Sequence, residues 1–261
     1  MDLWSGLGIA GAGLAAGAIN AIVGSGTLVT FPTLLAFGYT PFVANVSNTI
    51  GLVPGSVSGV HAYRHELAGW EQKSRLLRLG GFSGLGAVLG SVLLLAFPGS
   101  TFRRVVPWLI LFACALMLLQ PWASRRLRSV TSLGESHRVE HLRLDRQGFA
   151  LVAIVFATGV YAGYFGAAQG VVLMSVLAIF VADHLQRLNA LKNVLTLLSN
   201  FVAGVIFTFS GHVAWPAAGA IAAGAVVGGQ IGGRLGRRLP QQVLRLVIVT
   251  VGAAVAISLL A

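Results

Sequence analysis

The sequence predicts an all-α polytopic membrane protein built as two inverted-topology repeats of about five helical segments each. Three observations predict it. The 261 residues are 56% hydrophobic and only 10% charged, where soluble domains carry about 25% charged residues. Apolar runs long enough to cross a bilayer recur along the chain without the alternating pattern of a membrane barrel. Finally, the two halves of the sequence match each other in order.

The apolar segments form two sets of five, and the second segment of each set is too short to cross about 30 Å of hydrocarbon as a straight helix. We therefore predict membrane repeat 1 over residues 1–122, a cytoplasmic connector over 123–147 and membrane repeat 2 over 148–261. No signal peptide is expected, because no basic residue precedes the first apolar run. The segments are residues 3–23, 28–37, 42–61, 76–97, 105–122, 149–165, 171–181, 191–210, 215–233 and 243–260.

Matching residues in the two halves indicate an internal duplication. Gly17 and Gly24 correspond to Gly159 and Gly166 at one fixed offset. Further matches follow in the same order, and together they favour a repeated unit over chance similarity in glycine-rich sequence. These further matches are Trp70 with Trp215, residues 86–90 with 224–228, and Pro98 with Pro240.

The loop charges predict how the halves are oriented. The loop over residues 61–78 and the connector are rich in arginine, so both are expected in the cytoplasm. The second-half loop that matches 61–78, residues 211–214, has no arginine or lysine, whereas the loop near Pro240 is basic. This swap is typical of an inverted repeat, although Arg103 and Arg104 on the predicted outer side break the rule once. It predicts a multi-pass protein of the cell (inner) membrane with both termini outside, in which each glycine-broken pair enters and leaves on one side as a hairpin.

Each half also interrupts an apolar stretch with glycines. A backbone N–H left unpaired in hydrocarbon costs several kcal/mol, so such a break must be buried in protein or line a wet cavity. A helix that restarts after the break presents free amides and a partial positive charge, and two such starts make an anion site near the midplane. The residues of this predicted site are Gly24, Ser25, Gly26 and Thr27 in the first half and Gly166, Gln169 and Gly170 in the second. The spaced pairs Gly80–Gly84, Gly86–Gly90 and Gly228–Gly232 are instead expected to be helix packing contacts.

Polar side chains follow each break on one helix face. Asn45, Asn48 and Thr49 are spaced i, i+3, i+4, and Asn189, Lys192 and Asn193 repeat the spacing. Two interpretations stay open for the asparagines: contact with a ligand, or hydrogen bonds that join helices. Lys192 is favoured as the partner of an anion, unless it lies in the loop after Arg187.

Several classes of function lack support in the sequence. All acidic residues lie in loops or at segment ends, so no carboxylate is available mid-membrane for a cation pump. No nucleotide-binding, nucleophile or zinc motif is present, so neither an enzyme nor a cofactor is expected. The positive net charge of +11 comes from short loops, which points to lipid head groups and not to nucleic acid. Glu135, His137, Glu140 and His141 form only a weak metal pattern, and a soluble connector surface is the favoured alternative.

The glycine break followed by a half-helix and proline, GSGTLVTFP, and the next helix, ANVSNTIGLVPGSVSG, resemble the TauE/SafE sulfite exporter family, also called toluene sulfonate uptake permeases. The resemblance extends over nearly the whole chain. It implies a membrane protein that moves sulfite, thiosulfate, sulfonates or related organic anions. The family often has denser glycine in both breaks, and Ser25, Ala167 and Ala168 depart from that pattern, which leaves the substrate open.

We therefore expect a secondary transporter of a small sulfur-containing or organic anion, with the site at the two breaks and one half rocking against the other. Its expected partners are the anion, a proton or sodium as coupling ion, and membrane lipids. The alternatives are a passive anion channel that uses the same donors and a membrane scaffold that transports nothing. The sequence predicts no oligomeric state.

Overall fold

The computed structural model describes residues 2–67, 70–131, 140–181, 183–235 and 241–260. Over these ranges the chain forms ten α-helices and one short 3₁₀ helix, and no strand is present. The predicted all-α class is therefore confirmed. The helices are α1 (Leu3–Ile22), α2 (Thr27–Ala36), α3 (Pro41–Ala62), α4 (Trp70–Ala96), α5 (Gly99–Thr131), α6 (Glu140–Tyr164), α7 (Gln169–Phe180), α8 (Leu185–Thr208), α9 (Trp215–Leu235) and α10 (Gln241–Leu260), with the 3₁₀ helix Arg64–Leu67 after α3.

Helices of membrane-spanning length and composition are present. Among the described residues, Leu3–Ile22, Ser74–Ala96, Gly99–Leu119 and Leu185–Thr208 are long and apolar enough to cross a bilayer. Large apolar side chains also point outward from the bundle: Leu85 is 61% exposed and Trp108 63%. Such a surface is unfavourable in water and suits contact with lipid chains. These features are those of a polytopic membrane protein.

The short second segment of each half is a short helix. α2 has 10 residues and α7 has 12, which at about 1.5 Å per residue is roughly half the hydrocarbon thickness. Pro32 lies inside α2 without ending it. Both helices are therefore too short to cross the hydrocarbon as straight helices, as the sequence predicts.

The polar connector is helical at both of its ends. α5 continues to Thr131, beyond the apolar segment that ends at residue 122, and α6 already begins at Glu140. Arginine and leucine are good helix formers, so loss of apolar character does not end a helix. The assignment of the connector to the cytoplasm stays a prediction. Glu135 and His137, on which the weak metal pattern depends, lie outside the described residues.

Helix pairs α1–α9 and α4–α6 pack backbone to backbone through small residues. A Cβ added at Gly228 of α9 would lie 2.0 Å from the Leu14 carbonyl oxygen of α1, and one added at Gly90 of α4 would lie 2.0 Å from the Val160 oxygen of α6. Only glycine permits such an approach. This confirms that the Gly86–Gly90 and Gly228–Gly232 pairs are packing contacts.

The packing of helices repeats when helix numbers are shifted by five. The α1–α9 pair corresponds to the α6–α4 pair, α2–α3 to α7–α8, and α5–α7 to α10–α2. Helices of the two halves are therefore interleaved: α9 of the second half packs on α1 of the first, and α4 of the first half packs on α6 of the second. The breaks that follow α1 and α6 are consequently held by helices from both halves.

An aromatic cluster lies beside the breaks. Phe31 of α2 meets Phe165, which follows α6, edge to face with ring centroids 5.3 Å apart, and Phe102 of α5 packs on Phe165 at 6.1 Å. All three side chains are about 1% exposed. Edge-to-face pairs of this kind add to the stabilisation from burial. They fix the start of α2 against the end of α6.

Candidate functional site

The first break separates α1 from α2 over residues 23–26. The end of α1 is closed by two amides on one acceptor, because Val23 N and Gly24 N both donate to the Ile19 carbonyl oxygen, at 2.7 and 3.1 Å. Gly24 has φ +86°, in the left-handed region that disfavours residues with a Cβ. The predicted break residues therefore form the break, and Thr27 is the first residue of α2.

The second break has the same construction. Phe165 N and Gly166 N both donate to the Tyr161 carbonyl oxygen, at 2.9 and 3.1 Å, and Gly166 has φ +74°. Each of these bonds corresponds to one in the first break. α7 then begins at Gln169, so Gln169 and Gly170 lie in its first turn. Ala168 before it has φ +57°, a strained value for alanine, and the Tyr161 hydroxyl donates to the Ala167 carbonyl oxygen at 2.7 Å.

The two breaks touch each other. The amide of Gly170 donates to the carbonyl oxygen of Gly24 at 3.0 Å. A Cβ added to either residue would lie 2.4 Å from the Cα of the other, so neither position has room for a side chain. We call this contact region, residues 23–27 with 165–170, the junction. It brings together all seven predicted glycine-break residues.

The junction holds polar groups without partners. Five of its amides make no hydrogen bond with another described group: those of Ser25, Gly26, Thr27, Ala167 and Ala168. The hydroxyl oxygen of Ser25 and both side-chain amide atoms of Gln169 also lack a hydrogen-bond partner. Each of these two residues is buried, with 1% of its surface exposed. Buried polar atoms are normally satisfied, so orphans concentrated in one place require an explanation. Free amides at helix starts together with amide and hydroxyl groups are a donor set suited to an anion.

The polar face of α3 is attached to both breaks. Asn45 Nδ2 donates to the Tyr164 carbonyl oxygen at 3.0 Å, at the end of α6, while Asn45 Oδ1 has no partner. Asn48 Nδ2 donates to Thr27 Oγ1 at 3.3 Å, and Thr30 Oγ1 donates a short hydrogen bond to Asn48 Oδ1. The Thr49 hydroxyl donates to the Asn45 carbonyl oxygen within α3. In this structure Asn48 therefore joins helices, and Asn45 retains one free acceptor.

The polar face of α8 surrounds the carbonyl end of α1. Asn189 Nδ2 and Asn193 Nδ2 each donate to the Ala21 carbonyl oxygen at 3.3 Å. Lys192 Nζ lies 3.3 Å from the Asn20 oxygen and 3.5 Å from the Ala21 oxygen. Lys192 lies inside α8 and not in the loop after Arg187. Its ammonium contacts the negative end of the α1 dipole, on the carbonyl side of the break.

A small cavity adjoins these carbonyls. It has a volume of about 10 Å³ and is lined by Asn20, Ser56, Asn193 and Thr196, among others, which is room for roughly one water molecule. Thr196 Oγ1 is buried there without a partner. An anion of several atoms does not fit this cavity.

Sequence reasoning missed Thr30, Tyr161 and Thr196, which contact the breaks or the cavity. Thr196 was detectable, because it follows Asn193 by three residues and so shares its face of α8. The roles of Thr30 and Tyr161 depend on contacts between elements and leave no local signal in the sequence.

The sequence is similar to one protein family and to several bacterial proteins. The profile of the family described as "Sulfite exporter TauE/SafE" matches residues 9–259. A "Probable membrane transporter protein" of Haemophilus influenzae is 26% identical over 82% of this chain and 78% of its own length. The "Probable membrane transporter protein YfcA" of Escherichia coli is 27% identical over 94% of this chain and 86% of its own length. A "Probable membrane transporter protein ORF9" of Sinorhizobium is 27% identical over 94% and 88%. No solved structure matches the chain.

Proposed function

The chain belongs to the TauE/SafE sulfite exporter family, and from this membership we propose that it is a secondary transporter of small sulfur-containing or organic anions such as sulfite, thiosulfate or sulfonates. That it is a membrane transporter follows from the family and from the names of its relatives. The substrate class, the site and the mechanism are the proposal.

The observation that carries the proposal is the junction. Two helix starts, each with unbonded amides, meet through Gly24 and Gly170, and the buried side chains of Ser25 and Gln169 are unsatisfied beside them. A bound oxyanion would accept hydrogen bonds from these donors and remove the cost of leaving them unpaired. The free oxygen of Asn45 suits the hydroxyl of a protonated oxyanion or a water bound with the substrate. The full proposed shell is Gly24, Ser25, Gly26, Thr27, Asn45, Asn48, Thr49, Gly166, Gln169, Gly170, Asn189, Lys192 and Asn193.

Alternating access follows from an inverted arrangement of the halves, which we propose with the connector in the cytoplasm and both termini outside the inner membrane. The swapped loop charges and the equivalent hydrogen bonds of the two breaks support this arrangement. Closing the site requires small movements of helices from both halves, since each break is held by helices of the other half. The close packing at the junction favours such a carrier over an open anion channel.

The test is transport by purified protein in proteoliposomes, with ³⁵S-labelled thiosulfate and methanesulfonate as probes. We expect saturable uptake that is accelerated by the same anion on the opposite side of the membrane. Gly24→Leu and Gly26→Leu, in protein that elutes as a folded species, should abolish it. Gly11→Ala, at a helix position with open space around it, is the matched control. Unaffected flux in the leucine variants would disprove the site, and uptake that neither saturates nor shows acceleration would indicate a channel.

A further inference from the structure

The carbonyl end of α1 holds a buried positive charge. Among the described residues, Lys192 is the one charged side chain in the buried class, with 0% exposure. Its ammonium has two recorded partners, the carbonyl oxygens of Asn20 and Ala21. These are the last carbonyls of a helix that the break interrupts, where the helix dipole is negative. Broken-helix transporters hold their coupling cations at such carbonyl ends.

No carboxylate neutralises this ammonium within the described part of the chain. The two ion pairs among the described residues both involve Asp183, which lies before the start of α8 and pairs with Arg75 at 3.7 Å and with Arg187 at 3.6 Å. α1 and α7, which pack against α8, contain no titratable residue. Among the α6 side chains that the structure describes, residues 148–164, the titratable ones are Tyr164 and Tyr161, whose hydroxyl donates to the Ala167 carbonyl oxygen. α3, the 3₁₀ helix and α4 also contain titratable or charged side chains. Those that the structure describes are all exposed or half-buried: His61, Arg64, His65, Glu66, Arg75 and Arg78.

A buried ammonium without an anionic partner is energetically costly, and two carbonyl dipoles offset only part of the cost. The free-energy cost of burying the ammonium is reduced if an anion binds nearby or if the ammonium loses its proton. The proposed anion donors begin at Ser25, only a few residues after the Asn20 and Ala21 carbonyls, and Gly26 packs against Asn20 itself. Binding of an anion and retention of the proton should therefore favour each other.

The small cavity provides a path for the proton. Asn20 and Ala21, the partners of the ammonium, line it, and Thr196 Oγ1 is buried there with no partner. A water molecule in this cavity would satisfy the Thr196 hydroxyl. It would also accept the proton from Nζ, leaving a neutral amine and a hydronium ion that passes the proton to solvent when the site opens.

We infer that Lys192 carries the coupling proton of this transporter: it is protonated when the anion is bound and neutral when the empty carrier returns. This inference depends on the proposed function. One proton then crosses with each anion in the same direction, so transport of a monovalent anion is electrically neutral. No bound sodium is needed, because the ammonium already occupies the carbonyl end of α1.

The experiment uses proteoliposomes and labelled methanesulfonate, whose charge is constant around neutral pH, so the probe itself carries no proton. Wild-type protein should accumulate the probe when an inward proton gradient is imposed, and an internal pH dye should report acidification that depends on the probe. Lys192→Gln, which cannot release a proton, and Lys192→Arg, which stays charged, should lose both signals. Both should still exchange labelled for unlabelled probe, because exchange returns the loaded carrier and moves no net proton, but Lys192→Gln should need a higher probe concentration for half-maximal exchange, since it lacks the positive charge beside the anion. Arg187→Gln, which removes an exposed charge from the same helix, should behave as wild type.

The outcomes separate the two proposals. Accumulation driven by the proton gradient in Lys192→Gln would overturn the role of Lys192 while leaving the proposed function intact. Absence of both exchange and ligand-dependent thermal stabilisation in wild type, with methanesulfonate and with thiosulfate, would overturn the proposed function itself. If the Lys192 variants do not fold, wild-type protein decides the question. Accumulation driven by a sodium gradient with the pH clamped equal on both sides would then refute proton coupling.

Discussion

The amide of Gly170 donates a 3.0 Å hydrogen bond to the carbonyl oxygen of Gly24, so the breaks of the two halves meet backbone to backbone. This bond satisfies one amide at the start of α7 and one carbonyl at the end of the α1 segment. It also forbids side chains, since a Cβ on either glycine would lie 2.4 Å from the Cα of the other. Any movement of one half against the other must therefore alter this contact.

Alanine substitutions at four glycines separate two effects on stability: the clash at the contact between the breaks, and the strain of a positive φ. We expect Gly170→Ala, which introduces a clash without a left-handed φ, to destabilise the protein by about 1–3 kcal/mol, as overpacking does. Gly24→Ala adds a positive φ to the same clash and should cost about 1–2 kcal/mol more. Thermal unfolding in detergent, followed by tryptophan fluorescence, measures both.

Two matched controls complete the series. Gly38→Ala places alanine at φ +86° in open space and should show the strain alone, and Gly11→Ala in α1 meets neither strain nor a neighbour. Gly11→Ala should leave the melting temperature unchanged or slightly higher, because alanine favours helix. Equal effects of Gly170→Ala and Gly11→Ala would show that the two breaks do not touch.

The Ala21 carbonyl has three donors from α8, and this redundancy predicts non-additive substitutions. Asn189→Ala or Asn193→Ala alone should cost little, about 0.6 kcal/mol or less, because the other amide and Lys192 still satisfy the carbonyl. The double variant should cost more than the sum of the two. A double-mutant cycle of melting temperatures tests this, and strict additivity would mean that the donors act independently.

Asn48 distinguishes interhelical bonding from ligand contact. Its amide joins α3 to Thr27 and Thr30 of α2. If this is its function, Asn48→Ala and Thr30→Val should each lower stability, and the double variant should cost less than the sum of the two, since both remove the Thr30–Asn48 bond while each also removes one bond of its own, Asn48 to Thr27 and Thr30 to the Gly26 carbonyl. Anion affinity, measured from the thermal shift with thiosulfate, should change equally in both single variants. A loss of affinity confined to Asn48→Ala would assign the residue to the ligand.

Local sequence was sufficient to predict the helices and the breaks. The cost of unpaired amides in hydrocarbon, combined with the glycine positions, placed the start of α2 at the end of the Gly24–Thr27 stretch, and the fixed offset placed the second break at Gly166. The role of the spaced glycine pairs in helix packing was also predictable from the sequence, because small residues four positions apart are typical of close helix contacts. The polar start of the connector was less informative, since arginine-rich sequence continues α5 as a helix to Thr131.

Contacts between the halves were not predictable from the sequence. Lys192 was assigned to an anion from its charge and spacing, yet its ammonium lies against the carbonyls of Asn20 and Ala21. Asn45 and Asn189 likewise bond to the broken helix of the opposite half. A helical period states which residues share a face, but the neighbour of that face depends on how helices far apart in sequence are packed.

Gln169 should show opposite effects on stability and on binding. Both of its amide atoms are buried at the start of α7 without a partner, so Gln169→Leu removes unsatisfied polar atoms and breaks no recorded side-chain bond. We expect the unliganded protein to gain stability, by about 1–3 kcal/mol, the cost of leaving a buried polar group unpaired.

The same variant should lose its thermal stabilisation by thiosulfate or methanesulfonate, since the amide would be a donor to the anion. Asn48→Leu is the matched control, because it also replaces a buried amide at this depth but breaks bonds to Thr27 and Thr30, and it should therefore destabilise the unliganded protein. Melting temperatures with and without each anion decide the matter. A Gln169→Leu protein that is less stable than wild type, or that retains the full shift with the anion that stabilises wild type, would show that Gln169 supports the fold and not the ligand.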